Sequence, residues 1–371
     1  MRKLAYFEEI KAIKPIPGAD KIECAEILGW EIVVKKGEFK VGDICIYVEI
    51  DSVFPDMPCF EFLRSRNFRI KTIKLKSQIS QGIAFHPSII KELNPNFDLT
   101  SIKIGQDLTE TLFITKYDPE AELDSEPENN HVKKSWFENK FNYYKWKLFG
   151  IKPIKKGSFP SDVPKTDEER VQNMGKKLQS FKDQVMYITE KLEGTSATFV
   201  YRQSGNWLSK FFNQNGLFQV CSRNRIVFNS QKGGESNHHL VDVAKKYNIH
   251  EKLRRLNRNV AIQGECIGPK IQGNIYKLPD LELRIFQIFD LDKQSYISYT
   301  EMLSLLKELE LPMVPLLNDF HHLNEDVKYY IELSKGKSKI NDQIDREGIV
   351  IRHLNRNFSF KSINPEYLLK Q

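Results

Sequence analysis

The stretch Tyr187-Ile188-Thr189-Glu190-Lys191-Leu192-Glu193-Gly194-Thr195 decides how the second half of the chain is read. β-Branched and aromatic residues carry it as a strand into a lysine, an acid and a glycine. A lysine delivered at a strand end beside a glycine turn can serve as a covalent nucleophile. The same four residues, Lys191 to Gly194, also describe a solvated lysine next to a turn. The choice depends on what else the chain carries.

At 371 residues the chain is too long for one ordinary core, and two domains are expected. Its composition, 40% hydrophobic and 28% charged, is that of a soluble globular protein. The net charge of +7 permits a polyanionic partner without requiring one. Nothing near Met1 has the apolar run of a signal peptide, and no stretch reaches the roughly 20 apolar residues of a membrane helix. The five cysteines are scattered and form no C-x-x-C pair, which argues against a zinc site or a disulfide framework. An intracellular protein with no membrane contact and no obligate protein partner is expected.

Through about Pro87 the pattern is short strands broken by turns. Ile22–Leu28 alternates apolar and polar residues, Trp30–Val34 resumes after Gly29, and Ile44–Ile50 reads as a buried strand. Arg69–Lys76 alternates strictly and places three lysines on one face. Such spacing indicates a small all-β barrel or sandwich. The Pro15–Ile22 segment, the Gly29-Trp30 pair, Gly42-Asp43 and Asp51-Ser52-Val53-Phe54-Pro55 resemble the OB-fold of tRNA-binding domains. Arg64, Arg66, Arg69, Lys71, Lys74 and Lys76, with Phe62 and Phe68 among them, then form a candidate nucleic-acid face. The alternative is a solvated strand face whose aromatics belong to the core. An OB domain is assigned to residues 1–115.

Residues 116–158 read as a connector. Its acidic part, Asp118 to Glu128, has little to bury, and lysines dominate from Lys133 to Lys156 with Trp136, Phe141, Tyr144 and Trp146 between them. That mixture suits RNA contact and equally an amphipathic segment packed between domains.

Residues 159–371 read as an α+β domain with mostly antiparallel strands. Thr166-Asp167-Glu168-Glu169 has the form of a helix capping box, and Ser298-x-x-Glu301 has the same form ahead of Leu305, Leu306 and Leu309. A helix is expected around His239–Tyr247, and strands over Val260–Glu265, Leu283–Asp290, Glu347–Arg352 and Phe358–Lys361. Charged residues recur at the strand ends: Lys191, Glu193, Arg223, Glu265, Asp290, Glu347 and Lys361. A converging set of this kind can build a phosphate and metal site.

In order, the chain carries Lys191-Leu192-Glu193-Gly194, Ser222-Arg223-Asn224, Gln263-Gly264-Glu265, Phe289-Asp290, Glu347-Gly348-Ile349-Val350-Ile351-Arg352 and Phe358-Ser359-Phe360-Lys361. This series resembles that of covalent nucleotidyltransferases, in the version of the ATP-dependent RNA ligases. With Thr166–Asn173 and the leading OB domain, it is similar to the nick-sealing branch typified by Deinococcus and Naegleria enzymes. Only residues 362–371 follow Lys361, leaving no room in this sequence for the C-terminal OB domain of DNA ligases and capping enzymes. The remaining alternatives are a capping-type transferase and a non-catalytic RNA-binding protein with a decayed transferase domain.

The resemblance implies ATP and Mg²⁺ or Mn²⁺ as cofactors and RNA, as a nicked duplex or as ends, as substrate. It implies Lys191 as nucleophile toward the α-phosphate, with Lys361 as second catalytic cation. Arg223 and Glu265 would contact the ribose, Phe289 would stack on adenine with Phe286 as its alternate, and Glu190 would read the adenine amino group. Arg170 would orient the β- and γ-phosphates, and Glu193 and Glu347 would hold the metal. A free lysine is protonated at neutral pH, so positive charge from Lys361 and the metal is expected to lower its pKa. Two departures stand out. Ile363 occupies the place of a second lysine in the last motif, and Glu193 that of the commoner aspartate.

Overall fold

The alternating N-terminal residues form an antiparallel barrel. A computed structural model describes residues 3–117, 158–203, 216–231, 238–355 and 358–370. In the first part these are β1 (Ala5–Pro15), β2 (Ile22–Ile27), β3 (Trp30–Lys35), β4 (Ile44–Val48), β5 (Ser52–Val53), β6 (Ile73–Leu75), β7 (Gln78–Ser80), β8 (Ile83–Phe85) and β9 (Thr115–Lys116). Five of them pair in the order β3-β2-β1-β4-β8. The Val33 amide donates to Ser80 Oγ at 3.0 Å and the Gln81 amide to the Glu31 carbonyl at 2.9 Å, which nearly closes the sheet on itself. Phe7, Ile10, Ile27, Trp30, Ile46 and Tyr47 fill the interior. This is the expected OB barrel.

The expected cationic strand is different in detail. Arg69–Lys76 is not one strand: Arg69 makes an isolated bridge to Val53, and β6 begins at Ile73. Arg64 is paired with Asp56 at 2.6 Å and Glu61 at 2.6 Å, and Arg69 with Asp51 at 2.7 Å. Arg66, Lys74 and Lys76 are exposed, as is Phe62. The acidic and lysine-rich stretches of the connector lie outside the described residues.

The second part holds β10 (Val185–Lys191), β11 (Thr195–Arg202), β12 (Leu217–Cys221), β13 (Ile226–Asn229), β14 (Val260–Ile267), β15 (Glu282–Asp290), β16 (Ser295–Tyr296), β17 (Leu316–His322), β18 (Gly348–His353) and β19 (Ser359–Ile363). They make two antiparallel sheets, β17-β10-β18-β19 and β13-β12-β11-β14-β15-β16. Helices His239–Lys246, Ile249–Leu256 and Tyr299–Glu308 pack on the six-stranded sheet. Val327–Ser334 and Gly175–Ser180 cover the four-stranded one. Ser298 caps its helix as expected, its Oγ accepting from the Glu301 amide at 3.2 Å. The Thr166–Glu169 segment does not: the single 3₁₀ turn that follows it, Val171–Asn173, starts at Arg170 with no side-chain cap, and Arg170 forms a parallel bridge with Lys361. Among the described residues no helix is long and apolar enough to cross a membrane.

A buried polar joint ties the barrel to the second part. Asn173 Nδ2 donates to Glu49 Oε1 at 2.6 Å and to Glu169 Oε1 at 2.9 Å, and Asn173 Oδ1 accepts from Trp30 Nε1 at 2.8 Å. Tyr6 Oη donates to the same Glu49 oxygen at 3.0 Å. Asn173→Ala removes the acceptor of Trp30 Nε1 and one donor each from Glu49 and Glu169, so we expect a loss of about 2–3 kcal/mol. Urea denaturation of the full chain should show it as a lower midpoint at unchanged slope.

Candidate active site

Strand periodicity aims the functional side chains into the space between the two sheets. In β10, Ile188 faces the four-stranded sheet's own core, so Tyr187, Thr189 and Lys191 point the other way. In β18, Ile349 and Ile351 enter that core and Val350 and Arg352 face the gap; in β19, Phe360 is core and Lys361 faces the gap. Lys191 is in register with Gly348, and Ser196 of β11 with Glu265 of β14. Gly194 makes the turn between the sheets possible. A β-carbon there would lie 2.9 Å from Glu265 Cγ and 2.8 Å from Ile267 Cγ2, too close to fit.

The resulting cavity has a volume of about 450 Å³. Lys191, Lys361, Glu190, Arg170, Arg223, Glu265, Glu193 and Glu347 all line it. Phe289 does not. It lies under β15 against Val163, Val200 and Ala261, edge-on to Tyr296. Phe286 lines the cavity instead, packed on Leu192 and Val314 with the Arg352 guanidinium 5.5 Å from its ring. The cause is a β-bulge: Gln263 pairs with Gln287 and Gly264 with Ile285, so Phe286 is the extra residue. A bulge turns one side chain out of the regular alternation. Gly264 sits opposite, where a β-carbon would come within 2.7 Å of the Arg284 carbonyl oxygen.

Lys191 Nζ donates to Glu347 Oε1 at 2.6 Å. Burial pushes its pKa down, but Glu347, Glu265 and Glu193 outweigh burial and hold it above the usual lysine value. The expected depression is therefore not produced by the protein's own side chains. Lys361 is engaged elsewhere, its Nζ donating to Asp167 Oδ1 at 2.9 Å. Glu190 is 1% exposed; its Oε2 accepts from the Lys339 amide at 2.7 Å and its Oε1 is buried without a hydrogen-bond partner. Burial raises its pKa.

Several lining residues were not expected. Asp167 accepts from Lys361 and Lys116 and pairs with Arg223 at 3.3 Å. Burial works against its charge, yet Lys361, Lys116 and Arg223 together hold its carboxyl well below the ordinary range. Arg352 is 3% exposed and donates to Thr189 Oγ1 at 2.9 Å. From the barrel come Asp51, Arg69, Lys116 and Tyr117. The lining thus holds seven cationic side chains and seven carboxylates, so it offers a polyphosphate no net positive charge by itself. A divalent cation fits that balance. Glu347 Oε2 is buried without a hydrogen-bond partner, and Glu193 and Glu265 lie close enough to act on Lys191 electrostatically. No cluster of three or more His, Cys, Asp or Glu among the described residues forms a ready metal cage. The donor set therefore suits an oxygen-seeking ion that keeps water or phosphate ligands.

Comparison with known proteins agrees with this geometry. A family model for an OB-fold domain matches residues 4–87, and one for RNA ligase matches residues 184–363. A ligand-free variant of Naegleria gruberi RNA ligase is 34% identical over 100% of this chain and 98% of its own, with a TM-score of 0.79. The chain belongs to the RNA ligase family. The ligase is also similar to a Naegleria gruberi variant solved with ATP and Mn and to that enzyme with PPi, each 33% identical over 100% of this chain and 99% of the other at a TM-score of 0.79. No curated protein matches it.

Asp167→Asn leaves three cations facing one another. The partners are partly solvated, so the expected loss is about 1 kcal/mol after screening. A carboxyl held low in the folded state stabilises above its unfolded pKa of about 3.9 and loses that contribution as pH falls. Melting curves of wild type and Asp167→Asn should differ at neutral pH, and the difference should begin to shrink only below about pH 4 and fade progressively as the pH drops toward the depressed folded-state value.

Proposed function

We propose that the protein is an ATP-dependent RNA ligase that joins 3′-hydroxyl and 5′-phosphate ends, at nicks in duplexes, through lysyl-AMP and RNA-adenylate intermediates. In this reading residues 1–115 contact RNA, 116–158 connect, and 159–371 carry the adenylyltransferase chemistry. The observation that carries it is the convergence of Lys191, Glu193, Glu265, Glu347, Lys361 and Arg223 on one cavity, from strands separated by as much as 170 positions.

In the first step the Lys191 Nζ lone pair forms a bond to the α-phosphorus of ATP. The bond from that phosphorus to the bridging oxygen breaks, and pyrophosphate leaves with the electron pair. Lys191 must first lose the proton it shares with Glu347. Glu347 and Glu193 would hold Mg²⁺ or Mn²⁺, which when bound supplies positive charge against the phosphates. Drawing Glu347 toward another cation also removes the interaction that keeps Lys191 protonated. Once phosphates displace Asp167, Lys361 is available to an α-phosphate oxygen. Arg223 and Glu265 bind the ribose, Phe286 takes the stacking role assigned to Phe289, and the open oxygen of Glu190 accepts from the adenine amino group. Arg170 holds the departing pyrophosphate. In the second step an oxygen of the RNA 5′-phosphate attacks the α-phosphorus and Lys191 leaves. In the third the 3′-hydroxyl attacks that 5′-phosphorus, forming the phosphodiester and releasing AMP.

Incubation with [α-³²P]ATP and Mn²⁺ should label the denatured protein, at a rate that rises with pH across the neutral range because Lys191 must be deprotonated. Lys191→Ala should take no label, and GTP should not substitute. Wild type that stays unlabelled under several metals contradicts the reading and favours the non-catalytic alternative. A nicked duplex should be sealed faster than free single-stranded ends; equal rates contradict the nick-sealing subclass.

A further inference from the structure

Behind Glu190 stands a loop that is not part of the cavity lining. The chain from Lys335 to Arg346, between helix Val327–Ser334 and the Glu347 that leads into β18, folds back on itself. The Arg346 amide donates to the Gly336 carbonyl at 2.9 Å and the Ser338 amide to the Ile344 carbonyl at 3.0 Å, while Lys337 Nζ donates to Asp345 Oδ1 at 2.8 Å. Ile340 and Ile344 pack beside Leu192, Tyr276 and Phe286, and Asn341 Nδ2 donates to the Tyr276 carbonyl at 3.2 Å. So held, the loop presents the Lys339 amide to Glu190 Oε2 at 2.7 Å and leaves Oε1 as the buried oxygen without a hydrogen-bond partner.

Arg346 clamps this loop to the helix before it. The last carbonyls of a helix have no partners within it, and a cation is favoured there by the helix dipole. Arg346 Nε donates to the Ser334 and Lys335 carbonyls at 3.2 and 3.1 Å, and Nη2 to the Leu333 carbonyl at 3.3 Å and to that of Lys335 as well. Gly336 makes room for the guanidinium: its φ is +120°, and a β-carbon there would lie 2.9 Å from Nη2. The clamp also acts on Glu190 through charge. Burial raises the Glu190 pKa, and Ser338, the Lys339 amide and the Arg346 charge oppose it, favouring the carboxylate that only accepts hydrogen bonds.

We infer, on the ligase reading and its assignment of Glu190 to the adenine amino group, that Arg346 is a positioning residue for base selection: it anchors the 335–346 loop so that Glu190 is held by one oxygen and offers the other to an amino group. A purine without that amino group leaves the second oxygen buried and unpaired, and one with an oxygen there sets two acceptors against each other. Arg346 touches neither nucleotide nor metal in this account and works through Glu190.

The test measures kcat/KM for self-nucleotidylation of the full-length protein, read by the mass of the adduct, with ATP and with purine riboside triphosphate, the same nucleotide lacking the 6-amino group. Wild type should favour ATP, and Glu190→Ala should lose about tenfold or more of that preference. Arg346→Ala should also lose about tenfold, and Arg346→Gln, which keeps a donor but neither the fork nor the charge, about threefold. In the Glu190→Ala background, Arg346→Ala should leave the ratio where it is, because the two residues act as one. A loosened helix end or a displaced Glu347 slows both nucleotides alike and keeps the wild-type ratio; that result in whichever Arg346 variant folds overturns the inference, as does a further fall in the double variant. Wild-type preference in Glu190→Ala overturns the base contact assigned to Glu190, and with it the role of Arg346. Wild type that forms no adduct with ATP overturns the ligase reading itself, a different failure.

Discussion

Lys191 and Glu347 face each other 2.6 Å apart because the register of β10 against β18 sets Lys191 opposite Gly348. The pair sits in a cleft where burial disfavours a charged lysine, and Glu347 is the foremost of the carboxylates that outweigh that burial. The surrounding lining extends this balance to seven cations and seven carboxylates. In the proposed reaction Lys191 becomes nucleophilic only once its neighbouring carboxylates are drawn away.

The same logic accounts for Asp167. It stands among Lys361, Lys116 and Arg223, where the phosphates of a nucleotide are proposed to go, and neutralises them in the meantime. The segment that carries it also carries Arg170 and Asn173, so the link between the barrel and the catalytic sheets runs directly past the cavity. Gly194, Gly264 and Gly348 mark the places where backbone must pass too close for any β-carbon. At Gly348 a β-carbon would lie 2.9 Å from Ile363 Cα, so the spacing of β18 and β19 depends on its absence.

Much of this architecture was legible in the sequence because the signals are local. Alternation over Tyr187–Lys191, Val260–Glu265 and Gly348–Arg352 specifies strands, and a charge at a strand's end is visible without a partner. Eight of the nine residues expected at the site line one cavity, six of them from the series that runs from Lys191 to Lys361. Phe289 failed for a physical reason: it is packed away among Val163, Val200 and Ala261, while the bulged residue Phe286 turns into the cavity, and nothing in an aromatic-rich strand marks where a bulge falls. Asp167 was hidden because Thr166–Glu169 has the same letters as a helix cap, whereas here Asp167 goes to Lys361 and Glu168 to Arg352, both on distant strands. Asp51, Arg69 and Tyr117 belong to the site only through the docking of the barrel, which no local pattern encodes.

The central claim is that Lys191, and no other lysine lining the cavity, becomes covalently attached to AMP. It is tested most directly by reacting the protein with ATP and Mn²⁺, digesting it at neutral pH to spare the phosphoramidate bond, and locating the adduct by mass spectrometry. The account predicts one AMP on the peptide that contains Lys191. AMP on Lys361 or Lys116, or on no peptide at all, would contradict it.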